Sequence, residues 1–254
     1  MNISVSVIII THNRSKLLIK AIDSVLYQKF IDFELLIIDD ASTDETEEVV
    51  LKYLVDKRVK YIKKNKSNSI AQVRNSAWQY VSGEYIAILD SDDIWCDELK
   101  LKKQYDFLET YSDVVLVGGG AILINEKEEE TNRVINPISD TEIRKDFLIK
   151  NPFYHSSAMY RYGLINKIGG YNENIKYGED LDLWLRMGKV GKLYNFPEFF
   201  IKYRIHNDNE VSKHFGKAIV DVLRVISKNR KGYGIGWSIY CRKILQKFLE
   251  YFKK

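Results

Sequence analysis

Three carboxylates in four residues, Asp90-Ser91-Asp92-Asp93, follow directly on the apolar run Tyr85-Ile86-Ala87-Ile88-Leu89. Acids packed this closely repel one another, and they stay ionised only beside a cation, a basic partner or open water. The apolar run reads as a strand, and the carboxyl end of a strand in an open α/β sheet is where ligands bind. Hard oxygen donors select Mg or Mn, which bridge to the phosphates of a nucleotide. The plain structural use of the same residues is an acidic turn or helix start, where Asp is favoured as a cap. A second pair, Asp39-Asp40, ends the apolar run over residues 34–38 and continues as Ala41-Ser42-Thr43-Asp44. A third acidic group, Glu179-Asp180-Leu181-Asp182, follows Gly178 and opens a helical pattern that runs through Arg186. Acids in a first helical turn are ordinary capping chemistry, so this third group carries a site only in company with the other two.

The elements that position these acids alternate over residues 1–117. Strands are read at residues 5–10, 34–38, 59–62 and 85–90, and helices at 15–28, 45–54 and 71–81. Alternation of this kind builds a parallel sheet with crossover helices, and in a doubly wound sheet two strands ending in carboxylates converge on one crevice. A helix over 98–110 then leads to a strand over 114–117, and the charged run 126–130 reads as a solvated hairpin or loop. Gly118-Gly119-Gly120 after that strand is not a dinucleotide fingerprint, because Leu123 stands where the last Gly belongs. It reads as backbone room near a ligand or as a bulge.

Composition bounds the protein class. The 254 residues are 45% apolar and 29% charged, enough for one large domain or a domain with an appendage. Two cysteines, Cys96 and Cys241, supply neither a disulfide framework nor a metal-binding pair. The first six residues lack the basic and long apolar regions of a signal peptide, and no segment has the length of a membrane span. A soluble or peripheral cytoplasmic protein, on the inner face of the cell membrane where it meets lipid, is the expectation. The net charge of +4 is uneven: residues 213–254 hold eleven Lys and Arg against two acids, a net +9, leaving −5 on residues 1–212. In that tail Trp237, Tyr240, Cys241, Ile244, Leu245, Phe248 and Phe252 recur at helical spacing with basic residues between them. Such a basic amphipathic helix suits an anionic membrane surface, and equally a docking face on the main domain or on another subunit. No nucleic-acid motif accompanies the charge. A homodimer remains open.

The runs Val5-Ser6-Val7-Ile8-Ile9-Ile10-Thr11-His12-Asn13-Arg14, Ser24-Val25-Leu26-Tyr27-Gln28, Ile38-Asp39-Asp40-Ala41-Ser42-Thr43-Asp44, Leu89-Asp90-Ser91-Asp92-Asp93 and Gly178-Glu179-Asp180 fall in the order of the family 2 inverting glycosyltransferases. The chain resembles that family over roughly residues 4–212. The resemblance implies a GT-A fold: a Rossmann-like α/β architecture with a mixed, mostly parallel sheet flanked by helices. It also implies a nucleotide-sugar donor, UDP-linked in the main reading, a Mn or Mg cation, and a glycan or lipid-linked acceptor in cell-surface polysaccharide synthesis. Residues 1–212 are then the catalytic domain and 213–254 a helical tail that the family does not explain.

The resemblance gives each matching residue a role. Asp92 is the direct metal ligand, while Asp90 holds the ribose or a metal-bound water, with Ser91 in the same donor-binding loop. Asp40, with Asp39 beside it, accepts hydrogen bonds from base or ribose, and Thr11 and Asn13 shape the base pocket. Arg74 offsets nucleotide charge, although a solvated helical Arg is its ordinary use. Asp180 is the general base that inversion requires, with Glu179 orienting it or contacting the acceptor. In Tyr203-Arg204-Ile205-His206 the His approaches the metal or the diphosphate, where a lone His is otherwise a structural residue. Trp95 and Trp184 are read as core, with sugar stacking as the alternative. Two other classes share part of the pattern. A haloacid dehalogenase-type phosphohydrolase also carries a strand ending in Asp-x-Asp, but Asp93-Ile94 departs from its usual continuation and the other acids would be idle. A non-catalytic nucleotide-binding subunit would need the same pocket without turnover.

Overall fold

The computed structural model describes residues 3–147, 150–206 and 215–233. In the first half, β1 (Val5–Thr11), β2 (Phe33–Asp40), β3 (Val59–Lys64) and β4 (Tyr85–Asp90) alternate with α1 (Ser15–Leu26), α2 (Thr46–Leu51) and α3 (Ile70–Ser76). The second half holds β5 (Ile94–Trp95), α4 (Lys100–Thr110), β6 (Val114–Ile124), β7 (Glu130–Val134), α5 (Asp140–Asp146), β8 (Met159–Arg161), α6 (Ile165–Ile168), α7 (Glu179–Met187), β9 (Lys192–Arg204) and α8 (Phe215–Asn229). One sheet runs in the order β3-β2-β1-β4-β8-β6-β9-β5, with β7 paired to β6. The pairs β1·β2, β1·β4, β2·β3 and β6·β9 are parallel, whereas β8 runs antiparallel between β4 and β6.

Alternation along the central strands feeds two cores. Ile8, Leu36, Ile38, Ile86 and Ile88 face α3, α5, α7 and α8, while Val7, Ile9, Leu35, Ile37 and Leu89 face α1, α2 and α4. A strand buried on both faces reads as a continuous apolar run, as β1 and β2 do. Trp184 and Trp95 are both core residues, 0% and 4% exposed. Trp184 packs against the rings of Phe153, His155 and Tyr160, and the Trp95 indole donates to the Ser156 carbonyl at 2.8 Å.

The largest departures from the sequence expectation are at three elements, beyond shifts of one or two residues at other ends. The strand read at 114–117 runs on as β6 to Ile124, straight through Gly118-Gly119-Gly120. The glycines are there for close packing: a Cβ on Gly118 would collide with Asn195 and Phe153, and one on Gly119 with the Phe200 ring. The β6·β9 register also shifts around Gly120, which is the bulge reading of that run. The helix read at 71–81 ends at Ser76 and passes into a single tight turn, Trp78–Tyr80. The helix read at 45–54 contracts to α2, with looser turns after Leu51. Residues 126–129 of the charged run form the β6–β7 hairpin turn, closed by Asn125 N–H donating to Glu129 O at 3.0 Å, and Glu130 begins β7.

The start of the basic tail packs on the main domain. Ala218, Val225 and Ile226 of α8 are buried. The Asn229 amide donates to Asp182 Oδ1 at 3.3 Å, and the Tyr233 hydroxyl to the Leu185 carbonyl at 2.7 Å. Asp182, also held by Arg186 Nε at 2.8 Å, is therefore an internal tie between α7 and α8. The amphipathic stretch from Trp237 to Phe252 lies outside the described residues. Among the described residues, no helix is long and apolar enough to cross a membrane.

Candidate active site

Three parallel strands end on one rim, since register pairs Thr11 with Asp39 and Ile10 with Asp90. A cavity of about 1040 Å³ opens there, and its wall includes Thr11, Asp40, Arg74, Asp90, Ser91, Asp92, Glu179 and Asp180. Residues separated by the length of the chain thus share one crevice, at the carboxyl ends of the strands.

The Asp loop is built to present Asp92. Asp93 is 2% exposed, takes a hydrogen bond from the Ser156 hydroxyl, and accepts from Arg204 N–H at 2.9 Å. Burial, then the Asp92 and Asp90 charges, push its carboxyl well above the usual carboxylate range. Asp93 is thus internal scaffolding. Arg204 adds Nε to the Asp92 carbonyl at 3.0 Å and Nη2 to Glu128 on the hairpin turn at 2.8 Å. Asp92 is left with its side chain in the cavity, where Oδ2 pairs with Arg14 Nη1 and lies 2.8 Å from His206 Nε2.

Asp90 is held from the other side. Arg74 Nη2 donates to its Oδ1 at 3.2 Å, and His155 Nδ1 faces its two oxygens at 3.2 and 3.3 Å. Burial raises this carboxyl, but His155 and Arg74 outweigh it and hold Asp90 far below the ordinary value. Arg74, 5% exposed, also pairs through Nη1 with Glu179. One buried guanidinium therefore joins the Asp loop to the start of α7. Burial, countered by Arg74 and reinforced by Asp180, leaves the Glu179 carboxyl above its usual range.

Asp180 sits in the first turn of α7, which Gly178 opens at φ 82°, a conformation that suits glycine. Its Oδ2 accepts from the Asn151 amide at 2.6 Å and its Oδ1 from Leu181 N–H at 2.7 Å. Among the described residues each oxygen accepts one hydrogen bond, which leaves a lone pair of the kind a proton acceptor requires.

Two expected donor contacts are not brought to the cavity. Asp39 is 0% exposed, and its carboxylate is consumed by Ser42 N–H, the Ser42 hydroxyl and the Tyr61 hydroxyl. Asn13, at φ 52°, turns its Oδ1 to Thr43 N–H at 2.8 Å, and its own N–H donates to Ser42 Oγ at 2.9 Å. Both residues fix the β2–α2 loop, Asp39 from the buried side and Asn13 from the exposed side. Asp40 is the member of the pair that lines it, with Ser67 N–H on Oδ1 at 2.7 Å and Lys66 on Oδ2 at 2.9 Å. Burial raises the Asp40 carboxyl, and Lys66 and Ser67 outweigh it to leave it lowered. Thr11 lines the crevice, and among the described residues its buried Oγ1 has no hydrogen-bond partner.

The donor set around Asp92 suits a divalent cation. The Asp92 carboxylate is the hard oxygen ligand that Mg and Mn take, and the imidazole of His206 stands 2.8 Å from it. Among the described residues no three acidic, His or Cys side chains form a closed cage. Such a pair leaves further ligand positions to phosphate oxygens and water, as is usual for Mg at nucleotide sites. Asp90, already engaged by Arg74 and His155, fits the ribose or metal-water role better than direct ligation.

Sequence reading missed Arg14, Lys66, Asn151 and His155 as members of this site. Asn151 and His155 lie in an irregular stretch with no period, and only the folded chain sets them against Asp180 and Asp90.

A mostly parallel sheet whose second half is threaded by an antiparallel strand, with an acidic loop and the opening of α7 over one crevice, defines the GT-A class of fold. Solved structures of that class superpose on it. TarS of S. aureus in complex with UDP-GlcNAc does so with TM-score 0.68 and 20% identity, covering 88% of this chain and 66% of its own. The mannosyltransferase PcManGT of Pyrobaculum calidifontis, in complex with GDP-Man and Mn2+, gives TM-score 0.70 and 15% identity over 89% of this chain and 64% of its own. The chain thus spans just under two thirds of each of those structures. EpsE of Bacillus subtilis is 30% identical over 232 residues, 89% of this chain and 82% of that protein. An uncharacterized glycosyltransferase of Methanocaldococcus jannaschii is 32% identical over 221 residues, 82% of this chain and 73% of that protein. The model of glycosyl transferase family 2 matches residues 6–169, and the chain belongs to that family. The phosphohydrolase alternative falls with this fold and family.

Proposed function

We propose that this protein is an inverting, divalent-metal-assisted glycosyltransferase that moves one sugar from a nucleoside diphosphate donor, UDP in the main reading, to a hydroxyl of a glycan or lipid-linked acceptor in cell-surface polysaccharide synthesis. The observation that carries it is the sharing of one cavity by Asp92, whose carboxylate meets His206 Nε2 at 2.8 Å, and the Asn151-held Asp180. A leaving-group site and a proton acceptor facing one crevice are what single displacement with inversion needs.

Thr11 and Asp40 hold base and ribose, with Asp90 on the ribose or a metal-bound water. Asp92 and His206 hold the cation, which when bound stabilises the charge that develops on the departing diphosphate. Asp180 takes the proton of the acceptor hydroxyl as its oxygen bonds to the anomeric carbon and the bond from that carbon to the diphosphate oxygen breaks. Glu179, joined to Arg74, orients the first turn of α7 so that Asp180 faces the reacting carbon. Phe153, Tyr154 and Tyr203 line the same crevice and keep water from the anomeric centre. The basic tail over residues 233–254 contacts an anionic membrane at the cytoplasmic face, placing the enzyme beside a lipid-linked acceptor.

Asp180→Asn tests the base assignment: transfer is lost while nucleotide binding persists. Retained transfer removes Asp180 from that role. Deletion of residues 233–254 releases the protein from anionic liposomes without changing donor affinity, and liposome binding that survives the deletion overturns the membrane role.

A further inference from the structure

We propose that Arg14 is an additional donor-binding residue: it keeps the cation's place on Asp92 in the unliganded protein and turns to the donor diphosphate when metal and nucleotide bind. The proposal rests on the donor and metal reading above. Arg14 stands at the N-cap position of α1, after β1, with no side-chain capping bond, and its guanidinium pairs with Asp92 through Oδ2. That is the same oxygen that lies 2.8 Å from His206 Nε2. A divalent ion and a guanidinium cannot share it, since like charges in contact repel strongly in a partly buried site. Metal entry therefore displaces Arg14.

The geometry gives Arg14 somewhere to go. Its side chain is 39% exposed, against 6% for Arg74, so it can rotate where Arg74 is locked between Asp90 and Glu179. It lines the cavity beside Thr11, Asp40 and Asp90, where a diphosphate would lie between ribose and cation. A planar guanidinium is well suited to phosphate oxygens and pairs with them in a bidentate manner. Nucleotide binding then removes the competitor from Asp92, and metal binding frees the guanidinium for the diphosphate. The two ligands must raise each other's affinity by the same factor.

The test measures Mn2+ binding by electron paramagnetic resonance, with and without UDP, in the full chain and in Arg14→Gln and Arg14→Lys. With one charge-assisted pair at stake, Arg14→Gln should bind Mn2+ alone about tenfold more tightly and show UDP–Mn2+ coupling about tenfold weaker than the unaltered protein. Arg14→Lys keeps the charge and should bind Mn2+ alone as the unaltered protein does. If the unaltered protein shows Mn2+-linked UDP binding and Arg14→Gln changes neither quantity, Arg14 is a plain tether and the inference fails. Tighter Mn2+ binding by Arg14→Lys equal to that of Arg14→Gln also contradicts it. Absence of Mn2+-linked binding to UDP or any other nucleoside diphosphate in the unaltered protein overturns the donor and metal reading, and this inference with it.

Discussion

Asn151 donates its side-chain amide to Asp180 Oδ2 at 2.6 Å, tying the loop before the His155-Ser156-Ser157 turn to the first turn of α7. In the proposed mechanism this bond fixes which carboxylate lone pair faces the acceptor. Asn151→Ala should lower kcat by about 10–100-fold, as expected for loss of general-base geometry, with donor KM nearly unchanged. Steady-state kinetics with donor and acceptor varied separately check this. A rise in donor KM at constant kcat would place Asn151 in donor binding instead.

His155 faces both oxygens of Asp90 through Nδ1 and reaches the Tyr171 hydroxyl through Nε2 at 2.9 Å. Removing it leaves Arg74 as the only side chain among the described residues that donates to the Asp90 carboxylate. His155→Ala should weaken nucleotide affinity by about tenfold, the scale of one lost charge-assisted hydrogen bond. His155→Gln, able to donate in its place, should recover part of that loss. Equal affinity in all three proteins, measured calorimetrically, would make His155 a packing residue.

Asp44 carries the acid sensitivity of the β2–α2 loop. Burial raises its carboxyl, but hydrogen bonds from Thr46 and Ser15 together outweigh it and bring it from 3.8 to about 2. A carboxyl lowered in the folded state stabilises fully above its unfolded value, and that stability is lost as pH falls from about 4 to about 2. Asp44→Asn should therefore be less stable at pH 6 and show a flatter loss between pH 5 and 2. Urea midpoints across that range give the slope, and an unchanged slope would refute the assignment.

Lys100 is 0% exposed, with Nζ on Gln104 Oε1 at 2.7 Å and 4.0 Å from the centre of the Trp95 ring. Burial holds its amine well below the ordinary lysine value. The unfolded chain then binds the proton that the folded chain releases, so stability rises with pH up to about 10, the range of a free lysine. Lys100→Met should abolish the increase in urea midpoint between pH 7 and 9. A slope equal to that of the unaltered protein would show that Lys100 stays charged when folded.

Strands β1, β2 and β4 were legible because each is a continuous apolar run that ends in a polar or acidic residue, and the same runs located Asp40, Asp90 and Asp92. What the sequence could not show was direction. Asp39 and Asp40 are neighbours, and the strand period of two sends one into the sheet layer and the other to the cavity. The identity of the inward one depends on Ser42 and Tyr61, which meet Asp39 only in the fold. Asn13 was misplaced for a related reason, because its positive φ turns the side chain toward Thr43. Arg14 and His155 were invisible as site residues because their partners lie far away in the chain.

The central claim is a metal-linked donor site centred on Asp92. Its most direct test is calorimetric titration of the purified protein with UDP, GDP, dTDP and their sugars, in Mn and then in chelator. Tight binding of one nucleotide that needs the metal and disappears in Asp92→Ala is the expected outcome. Binding to none of them in a metal-dependent way, or binding that survives both chelator and Asp92→Ala, would contradict it.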